Sequence, residues 1–291
     1  MEQALSGDAG WHMAMLLDEV RVGWFARAIA ATVRPGDVVL DLGTGMGLLA
    51  MLAAQAGARR VYAVEQSPIL DVARELVDAN GLSGVVTLVP GSSFDLDLPE
   101  RADVVVSETL GAWGADEGII AIMADALHRL VRPDARFIPD GVTMWLAPLR
   151  ETAARIPHLE ALGLDLQPLL DHLVPSAGGR QAEVTPSRVL APAQQVLSIA
   201  LGRQDLTLHE ATLDFDLRAD ATTGALCGWF TASAAGVEPL STGPGDPRTM
   251  WGQVVVPLAT PISGPLRVAL RLGFEQDGMD VDLQATRAPT L

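Results

Sequence analysis

The stretch Val38-Val-Leu-Asp-Leu-Gly-Thr-Gly-Met-Gly47 constrains the fold more than any other part of this chain. An apolar run of strand type passes directly into glycines at 43, 45 and 47, and a Leu- and Ala-rich helical pattern follows. Glycines at such a junction let the main chain turn tightly and come close to a ligand. A strand feeding a helix through this kind of loop opens a βαβ unit, whose crossover covers one face of a parallel sheet. The downstream sequence repeats the unit. Val38–Leu42, Arg60–Val64, Val85–Val89 and Asp103–Ser107 read as strands, and Leu48–Ala56, Pro68–Asn80 and Ile119–Val131 read as helices. The strands are mostly apolar, as expected where both sheet faces are buried.

Ahead of this block, His12 to Thr32 has helical spacing, with Met13, Leu16, Leu17, Val20, Trp24, Ala28 and Ala31 near one stripe. Met15 and Asp18 share a different face. From about Gln195 the period changes to two. Thr207–Leu217, Ala225–Ala234, Met250–Leu258, Leu266–Phe274 and Met279–Thr286 read as strands separated by Gly- and Pro-rich turns, which predicts an antiparallel sandwich or barrel. Residues 151–190 carry Leu-rich helical fragments, His158–Leu164 and Leu166–Leu173, and a Gly178-Gly179 break. The chain therefore divides into an α/β unit over 1–141 and a β unit over 142–291.

Acidic residues number 36 against 20 basic, a formal charge of −16. Such a surface repels nucleic acid, whose binding rests on Lys and Arg at phosphates, and attracts cationic substrates. The single cysteine, Cys227, excludes an internal disulfide and a multi-thiolate metal site. It falls in an apolar strand pattern. His128, His158, His172 and His209 show no ligand spacing, so no metal is expected. Apolar runs are too short for a spanning helix, which needs ~20 residues, and no basic-then-apolar leader opens the sequence. A cytoplasmic protein away from membranes is expected.

The glycine loop differs from the dinucleotide fingerprint, because its spacing is Gly-x-Gly-x-Gly and Asp41 stands two residues before Gly43. A carboxylate there repels a pyrophosphate and suits a ligand with an ammonium or sulfonium group. That favours S-adenosyl-L-methionine over a nicotinamide cofactor, with Glu65 at the end of the second strand placed to hold ribose hydroxyls. Beyond the fourth strand the chain reads Ser107-Glu108-Thr-Leu-Gly-Ala-Trp-Gly-Ala-Asp-Glu117. Reactive groups of open parallel sheets sit at this end of the strands. Glu108 and Glu117, joined by a glycine-containing segment, would repel one another unless a cation came between them. The planar fork of a guanidinium fits. Glu117 could equally complement the dipole of the helix starting near Gly118.

Taken together, these motifs resemble the protein arginine methyltransferases, from about His12 to the C-terminus. The resemblance is carried by His12-x-x-Met15-Leu16-x-Asp18-x-x-Arg21, the Leu40–Gly47 loop, Val61-Tyr-Ala-Val-Glu65, the Glu108–Glu117 segment and Ser241 through Thr249-Met250-Trp251. It implies a Rossmann-like methyltransferase domain followed by an antiparallel β-barrel, with a helical dimerisation arm at about 151–190 and a homodimer. It also implies that His12 helps close the donor site, Arg21 pairs with the donor carboxylate and Met15 flanks the methyl. Asp41, Gly43 and Gly45 would line the methionine part, Glu65 the ribose, and Ser93 and Phe94 the adenine. Glu108 and Glu117 would clamp the substrate guanidinium, with Asp18, Met250 and Trp251 on the substrate side.

Several positions depart from the family pattern. Met250 stands where the family has the histidine that partners Asp18. Glu2, Gln3 and Ser6 replace an N-terminal Tyr-Phe-x-x-Tyr segment. Phe94, with Asp95 beside it, replaces an acidic residue, and Ile119 replaces a methionine. These changes leave the donor core and the clamp and alter the substrate mouth. They direct the expectation to a small guanidine, free arginine or a peptide of a biosynthetic pathway. A methyltransferase for another amine or hydroxyl, and a catalytically silent scaffold, are the alternatives.

Overall fold

The computed structural model describes residues 10, 12–150 and 180–289. Glu2, Gln3, Ser6, the fragments expected at 158–164 and 166–173, the two histidines within them and the 151–179 part of the expected arm lie outside the described residues.

Strands β1 (Val38–Leu42), β2 (Arg60–Glu65), β3 (Val86–Pro90), β4 (Ala102–Ser107) and β5 (Val131–Ile138) form a parallel sheet in the order β3-β2-β1-β4-β5. Helices α1 (Glu19–Thr32), α2 (Leu48–Gln55), α3 (Leu70–Ala79) and α4 (Ile119–Arg129) accompany it. Every residue of β1 is buried, as its four apolar residues require, and Asp41 is buried with them. Strand β5 was not apparent from the sequence, because Arg132, Pro133, Asp134 and Arg136 interrupt its apolar pattern. Among the described residues it pairs with β4 alone, and an edge strand tolerates charges and proline.

The expected continuous helix over 12–32 is interrupted at Leu17. Asp18 caps α1, accepting a hydrogen bond from the Arg21 backbone N–H at 2.9 Å. The restart resets the helical phase. Arg21, Trp24, Phe25, Ala28, Ile29 and Thr32 face inward, whereas Met13 and Leu17 of the expected stripe are 50% and 72% exposed. Trp24 packs edge-on against Phe25 and donates its indole N–H to the Glu238 carbonyl at 2.9 Å. That bond ties α1 to the β unit.

Between Ile138 and Gly141 the chain leaves the parallel sheet. Strands β6 (Gly141–Leu149), β7 (Arg180–Ala182), β8 (Gln194–Ala200), β9 (Leu208–Phe215), β10 (Thr222–Ser233), β11 (Leu240–Ser241), β12 (Gln253–Ser263), β13 (Leu266–Glu275) and β14 (Gly278–Arg287) follow. One sheet runs β7-β12-β10-β6-β8 with β11 on β10, and a second runs β14-β13-β9. Contacts of β8 with β9 and of β12 with β14 join the two into a β-barrel. Arg180–Ala182, near the end of the expected arm, already pairs with β12. The strand expected from Met250 begins at Gln253, because the Gly252 N–H bonds back to the Thr249 carbonyl at 3.2 Å and closes a turn. Among the described residues no helix is long and apolar enough to cross a membrane.

Candidate active site

The order of the parallel sheet reverses between β1 and β4, and a cleft of about 620 Å³ opens beyond the carboxyl ends of the strands there. Its size and position suit a small-molecule site. His12, Met15, Arg21, Gly43, Gly45, Glu65, Ser93, Phe94, Glu108 and Glu117 all line it. Thr44, Gln66, Ser67, Ser92, Thr109 and Ile122, which the motifs did not single out, line it too. They follow strand ends or helix faces already assigned, so the topology rather than any residue type marks them.

One end of the cleft is built from consecutive backbone. Gly45 has φ +53°, and a Cβ there would lie 3.0 Å from the His12 imidazole. Its conformation and its close neighbour therefore both call for glycine. Glu65 fixes the loop by accepting from the Gly45 N–H at 3.0 Å and the Ser67 N–H at 2.8 Å. Each carboxylate oxygen has a second lone pair for a hydroxyl. Phe94 sits in a short 3-10 turn that Arg129 of α4 holds by donating to the Ser93 and Phe94 carbonyls, each at 3.0 Å. Asp125 in turn orients Arg129.

Asp41 requires a correction. Its side chain is fully buried beneath the loop, is not part of the cleft wall and accepts from the Thr44 hydroxyl at 2.5 Å. Burial pushes its pKa up to about 7, with Glu65 and Glu108 adding to the rise and the Thr44 bond opposing it. Asp41 shapes the loop from below.

The other end is assembled from distant segments. Arg21 forms an ion pair with Glu108, and both side chains are only 9% exposed. Arg21 also donates to the Met15 carbonyl at 3.1 Å, and its guanidinium lies 5.8 Å from the centre of the Trp251 ring. Glu108 thus already holds a guanidinium, one supplied by the chain itself, where the family resemblance directs Arg21 toward the donor carboxylate. Burial raises the Glu108 pKa and Arg21 opposes that rise. Glu117 opens into the cleft. Desolvation by the cleft walls, then repulsion from Glu108 and Asp116, push its pKa up to about 7, with Arg21 opposing.

The segment joining the two glutamates is docked on the barrel. Trp113 donates its indole N–H to the Trp145 carbonyl at 2.9 Å, and a Cβ on Gly228 of β10 would lie 2.7 Å from the Trp113 ring. Asp116 folds the segment back by accepting the Trp113 backbone N–H at 2.9 Å. Asp18, Met250 and Trp251 lie outside the cleft lining. Asp18 is not left without a partner by the residue at 250, because the Met250 backbone N–H donates to it at 2.7 Å. A main-chain donor thereby does the tethering without a histidine side chain. Trp251 supports the site from behind. It donates to the Leu110 carbonyl at 2.7 Å and packs edge-on against Phe230. His128 pairs with Asp205 on the surface and His209 bonds the Val196 carbonyl. Cys227 is buried.

The donor set fits S-adenosylmethionine. The loop leaves room for close backbone approach, Glu65 can accept from a diol, Phe94 offers an apolar wall, and a guanidinium stands near the centre.

Comparison with known proteins places this geometry among relatives. The profile of the ribosomal protein L11 methyltransferase (PrmA) family matches residues 25–145. An arginine N(omega)-methyltransferase of Streptomyces achromogenes subsp. streptozoticus is 32% identical over 284 residues, covering 94% of this chain and 78% of the relative. Protein arginine N-methyltransferase PRMT10 of Oryza sativa subsp. japonica is 30% identical, covering 85% of this chain and 75% of its own length. The crystal structure of Arabidopsis thaliana protein arginine methyltransferase 10 superposes with a TM-score of 0.80 at 24% identity, covering 95% of this chain and 93% of that one. The Trypanosoma brucei PRMT1 enzyme–prozyme heterotetramer with AdoHcy gives 0.82 at 24% identity, covering 97% and 94%.

Proposed function

The chain belongs to the protein arginine methyltransferase family, and from that premise we infer that it transfers a methyl group from S-adenosylmethionine to a terminal nitrogen of a guanidino group held by Glu108 and Glu117. The observation that carries this reading is that Glu108 and Glu117 line one cleft, near enough for the charge of Glu108 to raise the Glu117 pKa, so that a cation between them relieves the repulsion. When bound, S-adenosylmethionine supplies an electrophilic methyl on a sulfonium. Glu65 would hold its ribose, the Gly43–Gly45 backbone and Arg21 its amino-acid end, and Phe94 its base.

Guanidinium is a weak nucleophile because its lone pairs are delocalised and its pKa exceeds about 12. Glu108 and Glu117 oppose that in two ways. Their charges draw the positive charge of the acceptor toward the nitrogens they touch, leaving the remaining terminal nitrogen richer in electrons. Their positions hold that nitrogen facing the donor end of the cleft, which converts a bimolecular encounter into an oriented one. Glu117, whose raised pKa suits proton exchange near neutrality, receives the proton the nitrogen loses.

The acceptor we propose is arginine, free or within a peptide of a biosynthetic pathway. The homodimer through an arm in 151–190 and a cytoplasmic location belong to the same proposal. Incubation with methyl-labelled donor and arginine, guanidino compounds or arginine-containing peptides tests it by tandem mass spectrometry. Label on a terminal guanidine nitrogen is expected. Label on another atom class, or none with any guanidine, overturns the reading.

A further inference from the structure

Among the described residues lining the cleft, Gln276 and Asp277 are the contributions of the β-barrel, and no motif pointed to them. They form the turn between β13 and β14, whose pairing ends at Glu275 opposite Gly278. The turn is seated on the clamp by direct backbone approach. Gly118, next to Glu117, has φ +82°, and a Cβ there would stand 2.4 Å from the Gln276 carbonyl oxygen. From the other side, a Cβ on Gly278 would lie 3.3 Å from the Asp116 carbonyl oxygen. Residues 116–118 and the turn therefore form one wall.

The charges along this wall are unequal in what they already hold. Glu65 is engaged by backbone N–H groups and Glu108 by Arg21. Glu117 and Asp277 have no hydrogen-bond or ion-pair partner among the described residues. Glu117 is assigned to the guanidinium. That leaves Asp277 as a second anion on the same wall, exposed and without a cation among the described residues.

We infer that Asp277 is a specificity residue, and that it receives a cationic group which the acceptor carries in addition to its guanidinium. This rests on the guanidino-methylation reading and deepens it. The shared chemistry is a second cation carried apart from the reacting guanidinium. The α-ammonium of a free amino acid and a basic residue flanking arginine in a peptide both supply it.

Kinetics of Asp277→Asn and Asp277→Lys with arginine, agmatine, n-butylguanidine and 4-guanidinobutyrate test the inference, with the KM for S-adenosylmethionine as the check on fold and donor site. For Asp277→Asn, KM should rise roughly three- to five-fold for arginine and agmatine, the scale of an exposed ion pair, and stay constant for n-butylguanidine, which has no second cation. Asp277→Lys should worsen agmatine further and improve 4-guanidinobutyrate, which carries a carboxylate instead. Blocked arginine peptides with and without a flanking lysine separate the two sources, since the one that loses affinity in Asp277→Asn supplies the cation. Equal KM changes for guanidines with and without a second cation, or none, overturn the assignment of Asp277 while leaving guanidine methylation standing. Failure of the unaltered enzyme to methylate any of these guanidines overturns the functional reading and this inference with it.

Discussion

The two ends of the cleft are constructed in opposite ways. At the donor end, β1, the glycine loop and α2 are contiguous, and Glu65 reaches the loop from the neighbouring strand. At the acceptor end, Arg21 from α1, Glu108 after β4, Glu117 before α4 and the β13–β14 turn meet only in the folded chain. A contiguous end depends on backbone conformation, so it fails when a glycine is lost. An assembled end depends on charge and docking, so it fails when one partner is removed. Mutations in the two ends should therefore give different kinetic signatures.

The largest expected effects separate the clamp glutamates. Glu108→Gln and Glu117→Gln should each lower kcat by about 10²–10³, the scale for removing one preorganised electrostatic group. Stability at the two positions should diverge. Glu108→Ala removes the hydrogen-bonding partner of a buried guanidinium altogether and should lower Tm. Glu117→Gln removes a charge that the fold disfavours and should raise Tm above about pH 7. The sign follows from linkage. Glu117 and Asp41 both titrate near 7 in the fold, above ordinary carboxylates, so the native state holds more protons than the unfolded one between the ordinary carboxylate range and about pH 7. Their contribution to stability is full in acid and is lost as pH rises through that window. Thermal scans of both variants at acid and alkaline pH check this, and equal Tm changes at both pH values would contradict it.

A smaller effect belongs to the donor end. Gly45→Ala strains a backbone at φ +53° and crowds His12, so affinity for S-adenosylhomocysteine should fall roughly ten-fold by calorimetry. The KM for the acceptor should change little. A larger effect on acceptor than on donor would break the comparison. The smallest effect concerns the seam between the units. Asp18→Ala loses a helix cap and the Met250 tether, and should cost about 1–2 kcal/mol of stability in denaturant titration. Asp18→Asn, which still caps a helix, should cost less.

The donor end was legible because its signals are local. Val38–Leu42 is a strand with the same bounds in sequence and structure, and the glycines that follow it adopt the positive φ that glycine alone takes readily. Other features depend on partners that sequence order does not reveal. Asp18 looked like a residue of a continuous helix with a missing histidine partner, whereas it caps α1 and bonds the main chain at 250. Asp41 looked like a ligand contact because it precedes the loop, yet both faces of β1 are covered and its side chain is buried with the rest of the strand. Strand β5 was hidden by charges that an edge position tolerates. Gln276 and Asp277 carry no motif, and only closure of the barrel brings their turn to the clamp.

If Glu117 takes a guanidinium beside Glu108, acceptor binding must displace the proton that Glu117 carries near neutrality, and calorimetry reads that release. Calorimetric titration of arginine into protein loaded with S-adenosylhomocysteine, repeated near pH 7 in buffers of different ionisation enthalpy, reads the protons exchanged. Burial and the charge of Glu108 push the Glu117 pKa up to about 7, and an incoming guanidinium lowers it, so arginine binding should release protons and Glu117→Gln should release clearly fewer. Arginine binding with no proton release, or with the same release in Glu117→Gln, would contradict the account.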